Sequence, residues 1–181
     1  MPANEIVEFA QPRFPAFAEC YFYHCMTLPE VGEVGTEWDL RPNVAAYLGN
    51  TDFAGKRVLE IGPASGFLTM HMERAGADVI SVDLPDSVGW DTVPRPSVTP
   101  ALLESRKVFM RRLQNAFWFT HEKMELKSRL IYVRPQDLPD ALGPFDVATI
   151  TAVLIHTRDP LGILCRCAAL RAKRIIVTEA I

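Results

Sequence analysis

Val58-Leu59-Glu60-Ile61-Gly62-Pro63-Ala64-Ser65-Gly66 is the stretch that decides the fold of this 181-residue chain. Its first four residues are typical of a short buried strand, and the glycines that follow mark a tight turn. Phe67 to Arg74 then has the spacing of a helix that stops near Gly76. A strand, a glycine-containing turn and a helix in this order begin a βαβ unit, so the stretch predicts an α/β fold.

The rest of the chain repeats this alternation of strands and helices. Further strands and helices are predicted, in chain order, at 78–83 (strand), 101–127 (helix), 130–133 and 145–150 (strands), 160–170 (helix) and 174–178 (strand). Asp159 is the expected N-cap of the last helix, with Pro160 at its first position. The prolines between Pro85 and Pro100 predict a loop. The pattern indicates a doubly wound, Rossmann-like and mostly parallel sheet with right-handed crossovers.

The first fifty residues differ from this pattern, because they are rich in aromatic residues and prolines. They predict a short helix at about 15–24, irregular chain, and a second helix near 42–48 that Asn43 or Asp39 caps. We therefore divide the chain into an N-terminal helical and irregular lid segment, residues 1–50, and a domain of residues 51–181.

Composition excludes several classes of protein. The net charge of −3 gives no general attraction to DNA or to an anionic membrane. A local basic patch leaves RNA binding open. The surplus of bases in residues 100–129 indicates either a basic helix that faces the acidic N-terminal segment or, as the favoured alternative, a solvated helix face. No apolar stretch reaches membrane-spanning length and no signal peptide begins the chain, so a cytoplasmic location is expected. The four cysteines and four histidines lack ligand spacing, so no metal site is expected.

The turn after the first strand distinguishes between ligands. A dinucleotide fingerprint needs glycines at 62, 64 and 67, but residue 64 is alanine and residue 67 is phenylalanine. A phosphate-binding P-loop would end in Gly-Lys-Ser or Gly-Lys-Thr, which is absent here. The pattern Glu60-x-Gly62-x-x-x-Gly66 resembles instead the first motif of class I S-adenosylmethionine-dependent methyltransferases. There the glycines let the backbone approach the methionine tail and the ribose, and an acid such as Glu60 suits the ammonium group, directly or through water.

A second acid strengthens this resemblance. Asp83 ends the second strand, 17 residues after Gly66, where a carboxylate can accept both hydroxyls of a ribose. The turn at 134–139 follows the third strand and flanks the adenine in such enzymes. Gln136 or Asp137 reaches the adenine amine there, or is a plain turn residue; Arg134 stands where the usual acid would be. The resemblance thus implies S-adenosyl-L-methionine as the cofactor, held by Glu60, Gly62, Pro63, Ala64, Gly66, Asp83, Leu84, Gln136, Asp137 and Thr151.

The segment from Thr151 to Pro160 is similar to the x-V-L-x-H-x-x-D-P segment that follows the fourth strand in these enzymes. His156 is therefore a candidate general base, or else a residue that orders the turn. His24 is the other candidate base. Aromatic residues expected to line the substrate pocket are Tyr23, Trp38, Trp90 and Trp118. Phe117, on the apolar face of the long helix, is expected in the core.

A narrower resemblance rests on Phe22-Tyr23-His24, on Trp38-Asp39-Leu40-Arg41-Pro42 and on Asn115-Ala116-Phe117-Trp118. These stretches look like the bacterial group related to the transferases that modify the wobble uridine of tRNA. The resemblance implies the fold, the cofactor and methyl transfer to a small-molecule or RNA acceptor. It does not imply that tRNA is the substrate of this chain.

Other interpretations stay open at this point. The chain is alternatively a cofactor-binding but non-catalytic domain, or a fragment of a longer methyltransferase; a nucleotide-dependent oxidoreductase conflicts with the broken fingerprint. The family's domain usually has two further strands after the fifth, whereas this chain stops near Glu179. The fifth strand is then an open edge, to be covered by a missing segment, by a partner chain such as a second copy, or by the N-terminal segment.

Overall fold

The structure, a computed structural model, describes residues 7–88 and 98–179. The strands are β1 (Met26–Leu28), β2 (Gly32–Val34), β3 (Arg57–Ile61), β4 (Asp78–Asp83), β5 (Arg129–Tyr132), β6 (Val147–Thr151) and β7 (Arg174–Thr178). The α-helices are α1 (Val44–Tyr47), α2 (Phe67–Arg74), α3 (Pro100–Lys123) and α4 (Pro160–Ala169). Short 3-10 turns lie at Phe17–Glu19, Arg41–Asn43, Pro135–Asp137, Asp140–Leu142 and Leu154–His156.

Five of the strands form one parallel sheet in the order β5-β4-β3-β6-β7. The chain runs outward from β3 through β4 to β5, then crosses to β6 and β7 on the other side. The strand order therefore reverses between β3 and β6, and in a doubly wound sheet a ligand binds at the carboxyl ends of the strands at such a point. This arrangement confirms the predicted Rossmann-like fold.

Apolar residues fill both faces of the sheet, which is why the strands are continuous apolar runs rather than alternating ones. Val58, Val79 and Val147 belong to one buried cluster, which includes residues of α2 and α3. Leu59 and Ile80, their neighbours in the strands, belong to a second cluster, on which α4 packs. Successive side chains of a strand point to opposite faces, so each strand contributes to both cores.

The helices of the sheet domain agree closely with their predicted bounds. The Asp159 side chain accepts a hydrogen bond from the Gly162 amide at 2.8 Å, which confirms it as the N-cap of α4. Helix α3 begins after its own N-cap, Thr99, whose hydroxyl accepts from the Leu102 amide at 3.2 Å. It ends at Lys123 rather than near 127, because the chain turns through Glu125 at a positive φ of 52°.

The prediction of a helix at about 15–24 was wrong. Only a 3-10 turn forms there, at Phe17–Glu19, and the chain then continues in extended form into the β1–β2 hairpin. Aromatic residues favour extended backbone, and here their rings pack on one another and on α3: Phe17 lies 5.6 Å from Phe22 and 5.7 Å from Phe119, measured between ring centroids.

The second predicted N-terminal helix is present, as the turn at Arg41–Asn43 followed by α1. Neither proposed cap makes a capping hydrogen bond to it. The Asn43 side chain does not cap α1, and the Asp39 carboxylate instead accepts from the amide and the guanidinium of Arg41. This segment shares a core with the sheet domain, because Cys20, Met26 and Leu48 lie in the same buried cluster as Val58.

The N-terminal segment also contacts both outer strands of the sheet. The Ala10 amide donates to the Leu130 carbonyl on β5 at 2.8 Å. At the other edge, the Thr178 hydroxyl of β7 donates to the Tyr47 carbonyl at 2.8 Å. The coverage of β7 is partial, since Val177 remains 45% exposed. A further segment or second chain over this strand stays a prediction.

Two features are absent from residues 7–88 and 98–179. Among these residues, no helix is long and apolar enough to cross a membrane. The same part of the chain contains no cluster of three or more histidine, cysteine, aspartate or glutamate side chains arranged to hold a metal ion.

Candidate functional site

The loop between β3 and α2 follows the pattern that the sequence predicted. Gly62 and Gly66 have positive φ angles of 75° and 84°, which glycine adopts without the steric cost of a side chain. A Cβ atom on Gly62 would lie 2.5 Å from Cγ2 of Val153. The backbone after β3 therefore turns sharply against the segment that follows β6, and a residue with a Cβ at this position would have to displace Val153.

Asp83 lies at the carboxyl end of β4 and is 9% exposed. One carboxylate oxygen, Oδ1, accepts a hydrogen bond from the Leu84 amide at 2.8 Å. The Leu84 carbonyl in turn accepts from the Gln114 amide group of α3 at 2.8 Å, which fixes this strand end. Burial raises the pKa of the Asp83 carboxyl to about 7. A ligand that donates hydrogen bonds to Asp83 would stabilise its ionised form.

Glu60, which was predicted to bind cofactor, lies behind the glycine loop rather than in the cavity. It is 1% exposed, and its Oε2 accepts from the hydroxyls of Thr69 at 2.6 Å and Ser81 at 2.7 Å. The other oxygen, Oε1, is buried with no hydrogen-bond partner in the described residues. Burial raises the pKa of this carboxyl to about 7, and Asp83 adds to the rise. Glu60 therefore joins α2 to the sheet beneath the loop.

A cavity of about 440 Å³ lies over the carboxyl ends of the strands. This volume is within the range of small-molecule binding sites. Its first wall, which we call the strand-end wall, comprises Gly62, Ala64, Asp83, Leu84, Gln136, Asp137 and Thr151. Its second wall, the segment wall, comes from the N-terminal segment and comprises Tyr23, His24 and Tyr47. His156, Val153, Phe109, Met110 and Leu113 also line the cavity.

The structure thus brings most of the predicted site residues together. Pro63 and Gly66 are buried in the glycine loop and do not line the cavity. Trp38 flanks it, because its ring stacks on that of Tyr23 at 6.0 Å while remaining 38% exposed. Trp90 lies outside the described residues.

The placement of Trp118 in the substrate pocket was wrong. Its side chain is 2% exposed and packs with Phe117 and Leu130 in a separate buried cluster. Its indole Nε1–H donates to the hydroxyl of Tyr132 at 2.9 Å. The helical spacing places Phe117 in the core, as predicted, and the adjacent Trp118 faces β5 rather than the strand ends.

The two candidate bases both line the cavity. His156 lies in the 3-10 turn after β6, and burial lowers its pKa. His24 is only 6% exposed, and burial lowers its pKa to about 4. Tyr47 also lines the cavity, although the sequence did not predict it as a site residue. Its carbonyl accepts a hydrogen bond from the hydroxyl of Thr178, 131 residues away, which holds it at this edge of the sheet. No local pattern in the sequence indicates that contact.

The strand-end wall fits S-adenosylmethionine. Asp83 presents a buried carboxylate, which matches the two hydroxyls of a ribose. Gly62 offers backbone without a side chain at the cavity, and Leu84 with Gln136 offers an apolar surface and an amide for an adenine. Tyr23 and Tyr47 come from the N-terminal segment instead. The fold and the site together define a class I methyltransferase domain.

Comparison with known proteins agrees with this class. Residues 37–177 match the family of methyltransferase domains, and the chain belongs to that family. It is 27% identical over 154 residues to a ubiquinone biosynthesis O-methyltransferase of Psychrobacter cryohalolentis, covering 81% of this chain and 51% of that protein. It is 30% identical over 142 residues to the Neisseria meningitidis protein of the same name, covering 77% and 50%. The crystal structure of WbdD has the same fold, at a TM-score of 0.50 and 17% identity, covering 79% of this chain and 30% of that one.

Family membership confirms the predicted class of domain and S-adenosylmethionine as its cofactor. The narrower likeness to the tRNA wobble-uridine group is not supported, since these curated relatives are named as ubiquinone biosynthesis O-methyltransferases. The chain spans about half the length of the curated relatives it matches.

Proposed function

We propose that this chain binds S-adenosylmethionine along the strand-end wall and transfers its methyl group to an oxygen of a small molecule. The observation that carries the proposal is Asp83, a carboxylate 9% exposed at the carboxyl end of β4, next to the strand that leads into the glycine loop. The names of the curated relatives favour oxygen as the acceptor atom. S-adenosylmethionine, when bound, supplies a sulfonium methyl group for in-line displacement.

The chain's own contribution is alignment. A cavity lined by two walls can hold cofactor and acceptor in fixed orientation, and such positioning lowers the barrier of a bimolecular reaction by up to about 7–11 kcal/mol. The segment wall supports a small acceptor, because Tyr23, His24 and Tyr47 line the same cavity of about 440 Å³ as the strand ends. An RNA acceptor, and a domain that binds cofactor without catalysis, are the alternatives.

Calorimetric titration with S-adenosylhomocysteine tests the cofactor site. Asp83→Ala should weaken binding by about 100-fold or more, since two hydrogen bonds to a charged group contribute roughly 1.5–3 kcal/mol each. Asp78→Ala is the matched control, because Asp78 lies at the opposite, amino end of the same strand and is exposed. Equal binding by the two variants would refute the role of Asp83.

Transfer of labelled methyl groups tests the reaction. Wild-type protein is incubated with labelled S-adenosylmethionine and either a panel of small hydroxyl compounds or bulk RNA. Labelling of a hydroxyl compound supports the proposal. Labelling of RNA alone supports the RNA alternative, and cofactor binding without any transfer supports the non-catalytic one.

A further inference from the structure

The strand order arranges the cavity along one axis. Gln136 and Asp137 follow β5, Asp83 follows β4, and Gly62 follows β3. On the other side of Gly62, the segment after β6 contributes Val153, and beyond it Tyr47 is bonded to β7 through Thr178. The ribose carboxylate therefore lies toward one end of the cavity and the segment wall toward the other. If the proposed function holds, the segment wall faces the methyl acceptor.

The backbone of His24 is fixed against the glycine loop. Its amide donates to the Ser65 hydroxyl at 3.4 Å, and the next amide, of Cys25, donates to the Trp38 carbonyl at 2.9 Å. A Cβ atom on Gly35 would lie 2.1 Å from the His24 carbonyl oxygen, so the chain after the β1–β2 hairpin closes directly on this residue. His24 is thus held beside the part of the loop that carries Ala64 and Ser65.

The imidazole ring of His24 has one nitrogen left to meet a ligand. Tyr23 packs edge-on against the ring at 5.0 Å and Phe67 lies 5.7 Å from it, measured between ring centroids. Nδ1 is shut off from solvent and has no hydrogen-bond partner among residues 7–88 and 98–179. Since the residue lines the cavity, Nε2 on the opposite side of the ring is the atom that can bind there.

Burial keeps this imidazole uncharged. It lowers the pKa of His24 to about 4, so at neutral pH the ring has a lone pair to offer and no positive charge. A neutral ring does not repel the sulfonium of the cofactor. The side chains that the N-terminal segment places in the cavity, Tyr23, His24 and Tyr47, carry no formal charge at that pH.

We propose that Tyr23, His24 and Tyr47 form the acceptor subsite, and that the neutral His24 ring accepts a hydrogen bond at Nε2 from the hydroxyl of an aromatic acceptor and so positions its oxygen. This inference rests on the proposed function. The acceptor oxygen forms a bond to the methyl carbon while the carbon–sulfur bond breaks, and the sulfur keeps the electron pair. The hydroxyl proton leaves to water as the new bond forms, because an imidazole whose pKa burial lowers to about 4 is too weak a base to hold it. The tyrosine rings match a flat, uncharged acceptor ring.

Nitrogen-15 NMR of the imidazoles tests the subsite without requiring turnover. The full chain, labelled in histidine and loaded with S-adenosylhomocysteine, is titrated with catechol and, separately, with 1,2-dimethoxybenzene. The His24 signal, assigned as the one lost in His24→Asn, should shift with catechol and not with the dimethoxy compound, which has no hydroxyl to donate. Binding of S-adenosylhomocysteine with no catechol-dependent shift of His24 would overturn the proposal.

Steady-state methylation of catechol tests the positioning role of His24. His24→Gln places an amide near the position of Nε2, so KM and kcat for catechol should each stay within about threefold of wild type. His24→Asn, whose amide reaches only the position of Nδ1, should raise KM by about tenfold, the loss of one hydrogen bond. His71→Gln, at a histidine of α2 outside the cavity, is the control. An unchanged KM in His24→Asn would overturn the proposed role.

The two proposals fail in different ways. Wild-type protein that shifts the His24 signal with catechol but methylates nothing would refute the proposed function and support the subsite. Equal methylation of catechol by the wild type and by His24→Asn would support the proposed function and refute the subsite.

Discussion

The two walls of the cavity are built by different means. The strand-end wall follows from local sequence, since Gly62 comes directly after β3 and Asp83 is the last residue of β4. The segment wall depends on contacts between distant parts of the chain. His24 is placed by Ser65, 41 residues away, and Tyr47 by Thr178, 131 residues away.

This difference suggests a division of labour between the walls. In the proposed function, the strand ends of the doubly wound sheet bind the cofactor, which is common to many methyltransferases. The proposed acceptor site lies on a segment that can change without altering the sheet, because its backbone contributes none of the sheet's strands. Glycine substitutions can perturb one wall at a time. Gly35 supports the segment wall and Gly62 the strand-end wall, and Gly32 and Gly55, which have open space around them, serve as their controls.

The largest effect is expected on the segment wall, from Gly35→Ala. Gly35 has a φ of 81°, and its new Cβ would lie 2.1 Å from the backbone oxygen of His24, which cannot move without displacing the histidine. We expect the free energy of unfolding to fall by about 4 kcal/mol, at the upper end of single substitutions. Urea denaturation measures it.

Gly32→Ala is the control for this change. Gly32 lies in the same hairpin region with a φ of 90°, but a Cβ atom added there would have no other atom within 4 Å, so it should lose only about 1–2 kcal/mol. Gly35→Ala protein that remains folded should bind S-adenosylhomocysteine as the wild type does and lose the catechol-dependent shift of His24. Loss of both kinds of binding together would show that the walls are not independent.

Sequence alone predicted most of the strand-end wall, although Glu60, Pro63 and Gly66, which were also predicted to hold the cofactor, do not line the cavity. The bounds of β3, β4 and β7 and the residues Gly62 and Asp83 followed from apolar runs that end at glycine or acid. The segment wall was predicted only in part, since Tyr23 and His24 were named while the surrounding chain was expected to be a helix. The run from Tyr21 to Tyr23 is compatible with either state, and contacts with α3, such as the bond from the Tyr21 amide to the Arg112 carbonyl at 2.9 Å, decide it.

A smaller effect is expected on the strand-end wall, from Gly62→Ala. The obstacle here is the Val153 side chain, 2.5 Å from the new Cβ, and a side chain can move more easily than a backbone. We expect a loss of about 2–3 kcal/mol in the free energy of unfolding and about tenfold weaker binding of S-adenosylhomocysteine in calorimetry.

Two variants test the cause of that loss. Gly55 has a similar φ of 65° and open space around it, so Gly55→Ala should lose only the stability that a positive φ costs a residue with a Cβ. Adding Val153→Ala to Gly62→Ala should recover part of the lost stability, because the collision is removed. No recovery in the double variant would mean that the φ angle, and not Val153, requires the glycine.

The smallest effect concerns Glu60, which supports the strand-end wall from behind. Burial raises its pKa from the ordinary 4.5 to about 7, so between these pH values the folded protein holds a proton that the unfolded chain has released. Folding then takes up a proton, and the free energy of unfolding decreases as pH rises from about 4.5 to 7.

Glu60→Gln removes this contribution, so wild type should lose on the order of 1–2 kcal/mol more than the variant across that range. The histidines titrate in both proteins, so the difference between the two urea series reports Glu60 together with its electrostatic coupling to Asp83. Glu104→Gln, at an exposed glutamate of α3, is the control. Parallel pH profiles for wild type and Glu60→Gln would show that the buried carboxyl is ionised throughout, and that the hydroxyls of Thr69 and Ser81 suffice to hold its charge beneath the loop.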